Sequence, residues 1–146
     1  MNTLHRRYCW ARRAEAALGQ NEPALALDIV ERLIASAPGL LPDGVLTFPW
    51  KLKGEALAAL GRRDEAVSLL RAALENAQAS GERFLLWRIR VSLGKLYCTM
   101  KNCQVEAEHE ISTARELVQE LAGTLPDKVL KDHFLQRAGR IVESPV

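Results

Sequence analysis

The stretch WKLKGEALAALGRRDEAVSLLRAALENAQAS, residues 50–80, decides the fold. Its first part is a Leu- and Ala-rich run that stops at Gly61, a residue that ends helices because it enters the left-handed region without a Cβ clash. Asp64 follows where a side chain caps a second helix. From there Ala66, Leu69, Leu70, Ala73, Leu74 and Ala77 recur at three- and four-residue steps and make one apolar face. Two helices joined by so short a turn fold back on each other, and Gly54 leaves room for the close approach.

Working outward, the same punctuation recurs. A first helix runs from about Thr3 to Leu18 and stops at Gly19; Asn21 is placed to cap a second, with Pro23 in its first turn. The second helix carries Leu25, Ala26, Ile29, Val30 and Leu33 to about Ala37. Pro38-Gly39 and Pro42-Asp43-Gly44 mark an extended connection through Phe48, so the third helix is expected to begin at about Pro49. Past Ser80-Gly81 a fifth helix spans about Glu82 to Met100. Asn102 starts a sixth, with Ala107, Ile111, Ala114, Val118 and Leu121 at coiled-coil-like steps, ending at Gly123. Thr124 and Asp127 have capping-box-like spacing, with Pro126 in the first turn of a seventh helix. That helix carries a stripe of Val129, Leu130, Phe134, Leu135 and Ala138 and is expected to pack on the sixth around Val118 and Leu121.

The hairpins repeat at ~40 residues, a helical-solenoid period. Trp10, Trp50 and Arg90 are equivalent, as are Ala14, Gly54 and Gly94, and Ala17, Leu57 and Tyr97. In the second helices Ala26, Ala66 and Ala107 match, as do Val30, Leu70 and Ile111. The run Trp50, Gly54, Leu57, Gly61, Ala66, Leu70, Ala73 closely resembles a tetratricopeptide repeat. Trp10, Ala14, Ala26, Val30 and Pro38 resemble a weaker copy, and Leu93, Gly94, Tyr97, Ala107, Ile111 and Ala114 a third with one residue inserted at the turn. The resemblance covers about residues 7 to 120. The runs at Phe84–Arg90, Ala114–Ala122 and Asp127–Leu135 further resemble the C-terminal helical repeats of large bacterial signalling ATPases and LuxR-type transcriptional regulators. There the repeats act as the sensing or partner-binding arm. No phosphate-binding loop or DNA-binding domain accompanies them in this sequence, which points to a C-terminal fragment or a detached repeat domain.

The expected fold is therefore all-α: one repeat domain over residues 1–146, an α-solenoid of about three antiparallel helix pairs (about 3–37, 49–79 and 82–122) plus a capping helix at about 125–142. Composition agrees. Apolar residues make up 48% and charged residues 26%, the balance of a soluble globular domain. No apolar run nears the roughly 20 residues of a bilayer span, and the N-terminus lacks a signal-peptide core, so a cytoplasmic address is expected. A formal charge of +2 argues against a dedicated nucleic-acid binder. Three cysteines without C-x-x-C spacing argue against a disulfide framework or closed zinc site.

Candidate chemistry is sparse. Glu106, His109 and Glu110 share a helix face at metal-ligand spacing, but the second Glu-x-x-His of a di-metal site is missing. No nucleophile elbow or Cys/His signature occurs. Cys9 and Cys98 fall at apolar-rich positions and read as packing residues; Cys103, near the turn, reads as the exposed thiol. Trp10 and Trp50 read as core; Trp87 reads as core or as facing a groove. No catalytic residue, metal or cofactor is assigned. The repeat resemblance implies that the first helix of each pair lines a concave surface. It places Tyr8, Ala11, Glu15, Lys51, Glu55, Arg88 and Lys95 there, a mixed-charge surface suited to a protein or peptide segment. Repeats of this family that clamp a C-terminal carboxylate carry Lys and Asn where Ala11 and Glu15 stand, so that subclass is disfavoured. Self-association stays open as an alternative, as do a metal site completed by a second chain and a nucleic-acid surface made by gathering the scattered arginines.

Overall fold

A computed structural model of the chain describes residues 4–36 and 47–144. Among them are seven helices and no strand: α1 (Leu4–Gly19), α2 (Pro23–Ala35), α3 (Thr47–Ala59), α4 (Arg63–Ser80), α5 (Arg83–Cys98), α6 (Gln104–Gly123) and α7 (Lys128–Glu143). The expected connection across Pro38–Gly44 lies outside the described residues. Phe48, expected at its end, is instead in the first turn of α3, with Pro49 where a missing N–H costs no hydrogen bond. The chain divides into two compact units, residues 1–80 and 81–146.

The turns correct three expected caps. Asn21 does not cap α2 but sits at φ 60°, and Asn102 does not open α6 but sits at φ 61°; Gly61 holds the matching position at φ 82°. After α1 the N–H of Asn21 donates to Leu18 O at 3.1 Å and that of Glu22 to Ala17 O at 2.9 Å. After α3 Gly61 donates to Ala58 O at 3.0 Å and Arg62 to Leu57 O at 2.9 Å. Each is the double closure of a left-handed helix end, which satisfies carbonyls the helix would otherwise orphan. Asn substitutes for Gly because its short polar side chain tolerates that region. Asp64, the third, lies inside the first turn of α4, where its charge suits the helix N-terminus. Of α2, α5, α6 and α7, the last alone is capped by a side chain: Asp127 accepts from the N–H of Val129 at 2.9 Å, so Pro126 precedes the helix.

In the first unit α1 packs on α2, α2 on α3 and α3 on α4, and α1 also reaches α3. Its core joins Ala11, Ala14, Ile29, Val30, Leu33 and Leu52, with Trp10 and Phe48 partly buried beside them. At the far end from the α3–α4 turn, Asn76 donates to the Thr47 hydroxyl. In the second unit α5 packs on α6 and α6 on α7. Arg83 at the start of α5 donates to Glu120 near the end of α6 at 2.7 Å, and mid-way Arg90 donates to Glu110 at 2.9 Å.

Both units use the same device where their paired helices come closest. A Cβ at Gly54 would lie 2.6 Å from Leu70 Cγ, and a Cβ at Gly94 2.7 Å from Ile111 Cδ1. No side chain fits at either place, so glycine is what lets the branched side chain of the next helix seat against backbone. Leu70 is thereby fully buried, a gain on the order of 1.5–3 kcal/mol for a side chain of that size.

The seventh helix turns otherwise than its sequence stripe suggests. Val129 and Leu130 are 62% and 55% exposed. The buried side runs instead through Phe134, Leu135, Ala138, Ile141 and Val142, which meet Trp87, Val118 and Leu121. The Asp127 cap starts the helix late, so the first turn carries Val129 and Leu130 before the packing side begins.

Candidate functional site

The helices α1, α3 and α5 carry the side chains expected at a binding surface. On α1, Tyr8, Arg12 and Glu15 stand at i, i+4 and i+7, one stripe along the helix. Arg12 organises it. Its Nε and Nη2 donate to Tyr8 Oη at 2.9 and 2.8 Å, and Nη1 donates to Glu15 Oε2 at 2.6 Å. The guanidinium carbon lies 5.0 Å from the Tyr8 ring centroid and 5.4 Å from that of Phe48 on α3. The hydrogen bond that Arg12 donates to Glu15, and next those it donates to Tyr8, hold the Arg12 pKa above its ordinary value. Arg12 is thus a fixed cation between two aromatic rings, one from each of two packed helices.

One register further along the chain, α3 presents Phe48, Lys51 and Glu55. Lys51 is almost wholly buried, and its Nζ donates to Glu55 Oε1 one turn on. A buried ammonium is tolerable only with such a partner. Glu55 keeps about a quarter of its side chain in solvent, at 26%. Tyr8, at 54% exposed, is the most open member of the set. Ala11 contributes no surface, because it is buried with Ile29, Val30 and Leu33.

In the second unit Arg88 is half-buried on α5. Lys95 is not held out to solvent: its Nζ donates to Ile141 O at 2.6 Å and to Ser144 Oγ at 2.5 Å. It satisfies a carbonyl at the end of α7, where a cation also suits the helix C-terminus. Arg90, at the position of Trp10 and Trp50, pairs with Glu110, the two side chains 13% and 14% exposed. Trp87 is buried and stands edge-on to Phe134 at 6.2 Å.

Of the residues singled out from sequence, Tyr8 and Glu15 gather around Arg12, and Lys51 and Glu55 pair with each other. Arg12, Phe48 and the Arg90–Glu110 pair were missed. The Tyr8-x3-Arg12-x2-Glu15 spacing carries a signal for the first; nothing in the order of residues announces Phe48, which comes from another helix. On the sixth helix Glu106 and His109 are exposed, and Glu110 turns toward Arg90 rather than standing with them. The cysteines exchange their expected places. Cys9 and Cys98 are exposed and Cys103 is partly buried. Cys9 shares the outward side of α1 with His5, Sγ to Nε2 3.7 Å, Cys98 is the last residue of α5, and Cys103 is drawn in as the N-cap position of α6.

No helix among the described residues is long and apolar enough to cross a membrane. No family model, curated protein or solved structure matches the chain.

Proposed function

We propose that the chain is a non-catalytic protein–protein interaction scaffold of the tetratricopeptide-repeat kind. On this reading it is an α-solenoid of about three antiparallel helix pairs ended by α7, working in the cytoplasm as the partner-binding arm of a bacterial signalling or transcription-regulatory protein. The observation that carries it is the repeated close approach, Leu70 on Gly54 and Ile111 on Gly94. The left-handed turn residues Asn21, Gly61 and Asn102 recur at nearly the same spacing, with one extra residue before the third. Coincidence of seat and turn is what a chain of like hairpins produces.

The binding surface on this reading is the α1–α3 face. Its rings at Tyr8 and Phe48 offer stacking area at small entropic cost, Arg12 a fixed cation, and Glu15 and Glu55 carboxylates. Such a surface takes a peptide carrying both signs of charge.

Panning a random peptide library on the purified chain tests it. Enriched peptides are expected to bind the wild type and to lose affinity by about tenfold or more, ~1.4 kcal/mol, with Tyr8→Ala or Arg12→Ala. Both variants are expected to fold, since Tyr8 and the Arg12 side chain are each about half exposed and neither belongs to the buried core. Failure to enrich any peptide, or binding indifferent to both substitutions, contradicts the proposal.

A further inference from the structure

In the second unit the helix α7 repeats the pattern of α5. In α5 the buried Leu93 precedes Gly94, followed by Lys95, Leu96 and Tyr97; in α7 the buried Ala138 precedes Gly139, followed by Arg140, Ile141 and Val142. The two glycines differ in what they meet. Gly94 is filled by Ile111, whereas a Cβ at Gly139 would meet, beyond its own stretch of helix, no heavy atom of the described residues within 4 Å. Gly139 instead opens on a groove of about 250 Å³ between α6 and α7. Its floor is apolar, with Val118, Leu135 and Val142, and its rim holds Arg115, Gln119 and Glu143.

From this geometry we infer that the groove is a docking seat for an amphipathic helix of a partner protein, one that sets a Leu or Ile on Gly139. The two filled seats define the chemistry of the occupant. The helix on Gly54 carries Ala66, Leu70 and Ala73, and the helix on Gly94 carries Ala107, Ile111 and Ala114. In both, an alanine four residues before the branched residue and another three after it let the helices approach closely. The occupant therefore reads Ala-x3-(Leu/Ile)-x2-Ala, with polar residues outward to suit a rim bearing both charges. A second copy of the chain is a poor source, because α4 and α6 are each seated on a glycine of their own unit. None of the other five helices carries the Ala-x3-(Leu/Ile)-x2-Ala pattern; α7, for one, has Lys131 four residues before Leu135. The site is separate from the Tyr8–Arg12–Phe48 face and stands or falls without it.

The test uses the full chain and a labelled synthetic peptide of sequence RDEAVSLLRAALENAQAS, that of residues 63–80. Saturable binding is expected, with a gain of helical circular dichroism as the peptide orders in the groove. Affinity should fall at least about tenfold with Gly139→Leu, and equally when the peptide's own leucine corresponding to Leu70 is replaced by Asp. The space around Gly139 is open, so Gly139→Leu should fold and melt no lower than wild type; Gln119→Trp, at the exposed rim, blocks the same groove independently. No saturable binding, or equal binding by wild type and both blocked variants, overturns the inference. So does a wild-type dimer that Gly139→Leu converts to monomer, since a second copy would then hold the seat.

Discussion

Gly94 and Gly139 occupy matching places on α5 and α7, and one is filled while the other is open. The residue type is the same, as is the helical backbone; what differs is whether a described helix sets a branched side chain on it. A glycine in the middle of a helix costs roughly 0.5–1 kcal/mol relative to alanine. At Gly54 and Gly94 that cost is offset inside the molecule, by Leu70 and Ile111 packing against bare backbone. At Gly139 no contact among the described residues offsets it. Small residues in packed helices are therefore to be read by their partners rather than by their spacing alone.

The sharpest way to break the comparison is to remove α7 altogether. Ending the chain at Gly123 uncovers Trp87, Val118 and Leu121, which Phe134, Leu135, Ala138, Ile141 and Val142 now cover. The lost burial is on the order of 5 kcal/mol, comparable with the whole stability of a small unit. Aggregation or self-association of the shortened chain is expected, measured by light scattering against the full chain. A soluble monomer with an unchanged unfolding transition would show that α7 covers nothing of consequence.

Next in size are the filled seats. Gly54→Leu and Gly94→Leu should each cost about 1–3 kcal/mol by overpacking, because the added Cβ itself lands on Leu70 or Ile111. Chemical denaturation reads this as a fall in midpoint without a change in slope.

A smaller effect is expected at the strap that holds the end of α7. Lys95→Met removes the donor to Ile141 O and Ser144 Oγ, a loss of about 1 kcal/mol for a partly solvated hydrogen-bonding group. Amide exchange should quicken in the last turn of α7 while the amides beside Ala138 stay protected. Uniform protection along the helix would mean that the lysine holds nothing.

At the open seat the sign reverses. Gly139→Ala should stabilise the chain by about 0.5–1 kcal/mol through helix propensity, visible as a small rise in melting temperature. A fall there would mean that Gly139 is already in use.

Much of the fold was legible because apolar period and glycine punctuation act locally. Gly54 and Gly94 could be assigned to close contacts from the alignment of hairpins, and the seven helices from Ala and Leu spacing. The turns were less legible: Asn21 and Asn102 look like caps, since asparagine suits an N-cap and a left-handed helix end alike, and only backbone φ separates the two. The exposed thiols of Cys9 and Cys98 were misplaced because a small rotation of a helix decides which flank of an apolar stripe is wet. The side chains facing Arg12 were half legible. Tyr8 and Glu15 are its neighbours along the helix, but Phe48 reaches it by tertiary packing that spacing does not encode.

The central claim is that one seat recurs on α3, α5 and α7 and is filled in only the first two. The most direct measurement sets the melting temperature of Gly139→Leu beside that of Gly94→Leu, each in the full chain. The account predicts a drop of several degrees for Gly94→Leu, as expected for a loss of 1 kcal/mol or more in a chain of this size, and none for Gly139→Leu. Equal drops, or a drop at Gly139 alone, would contradict it.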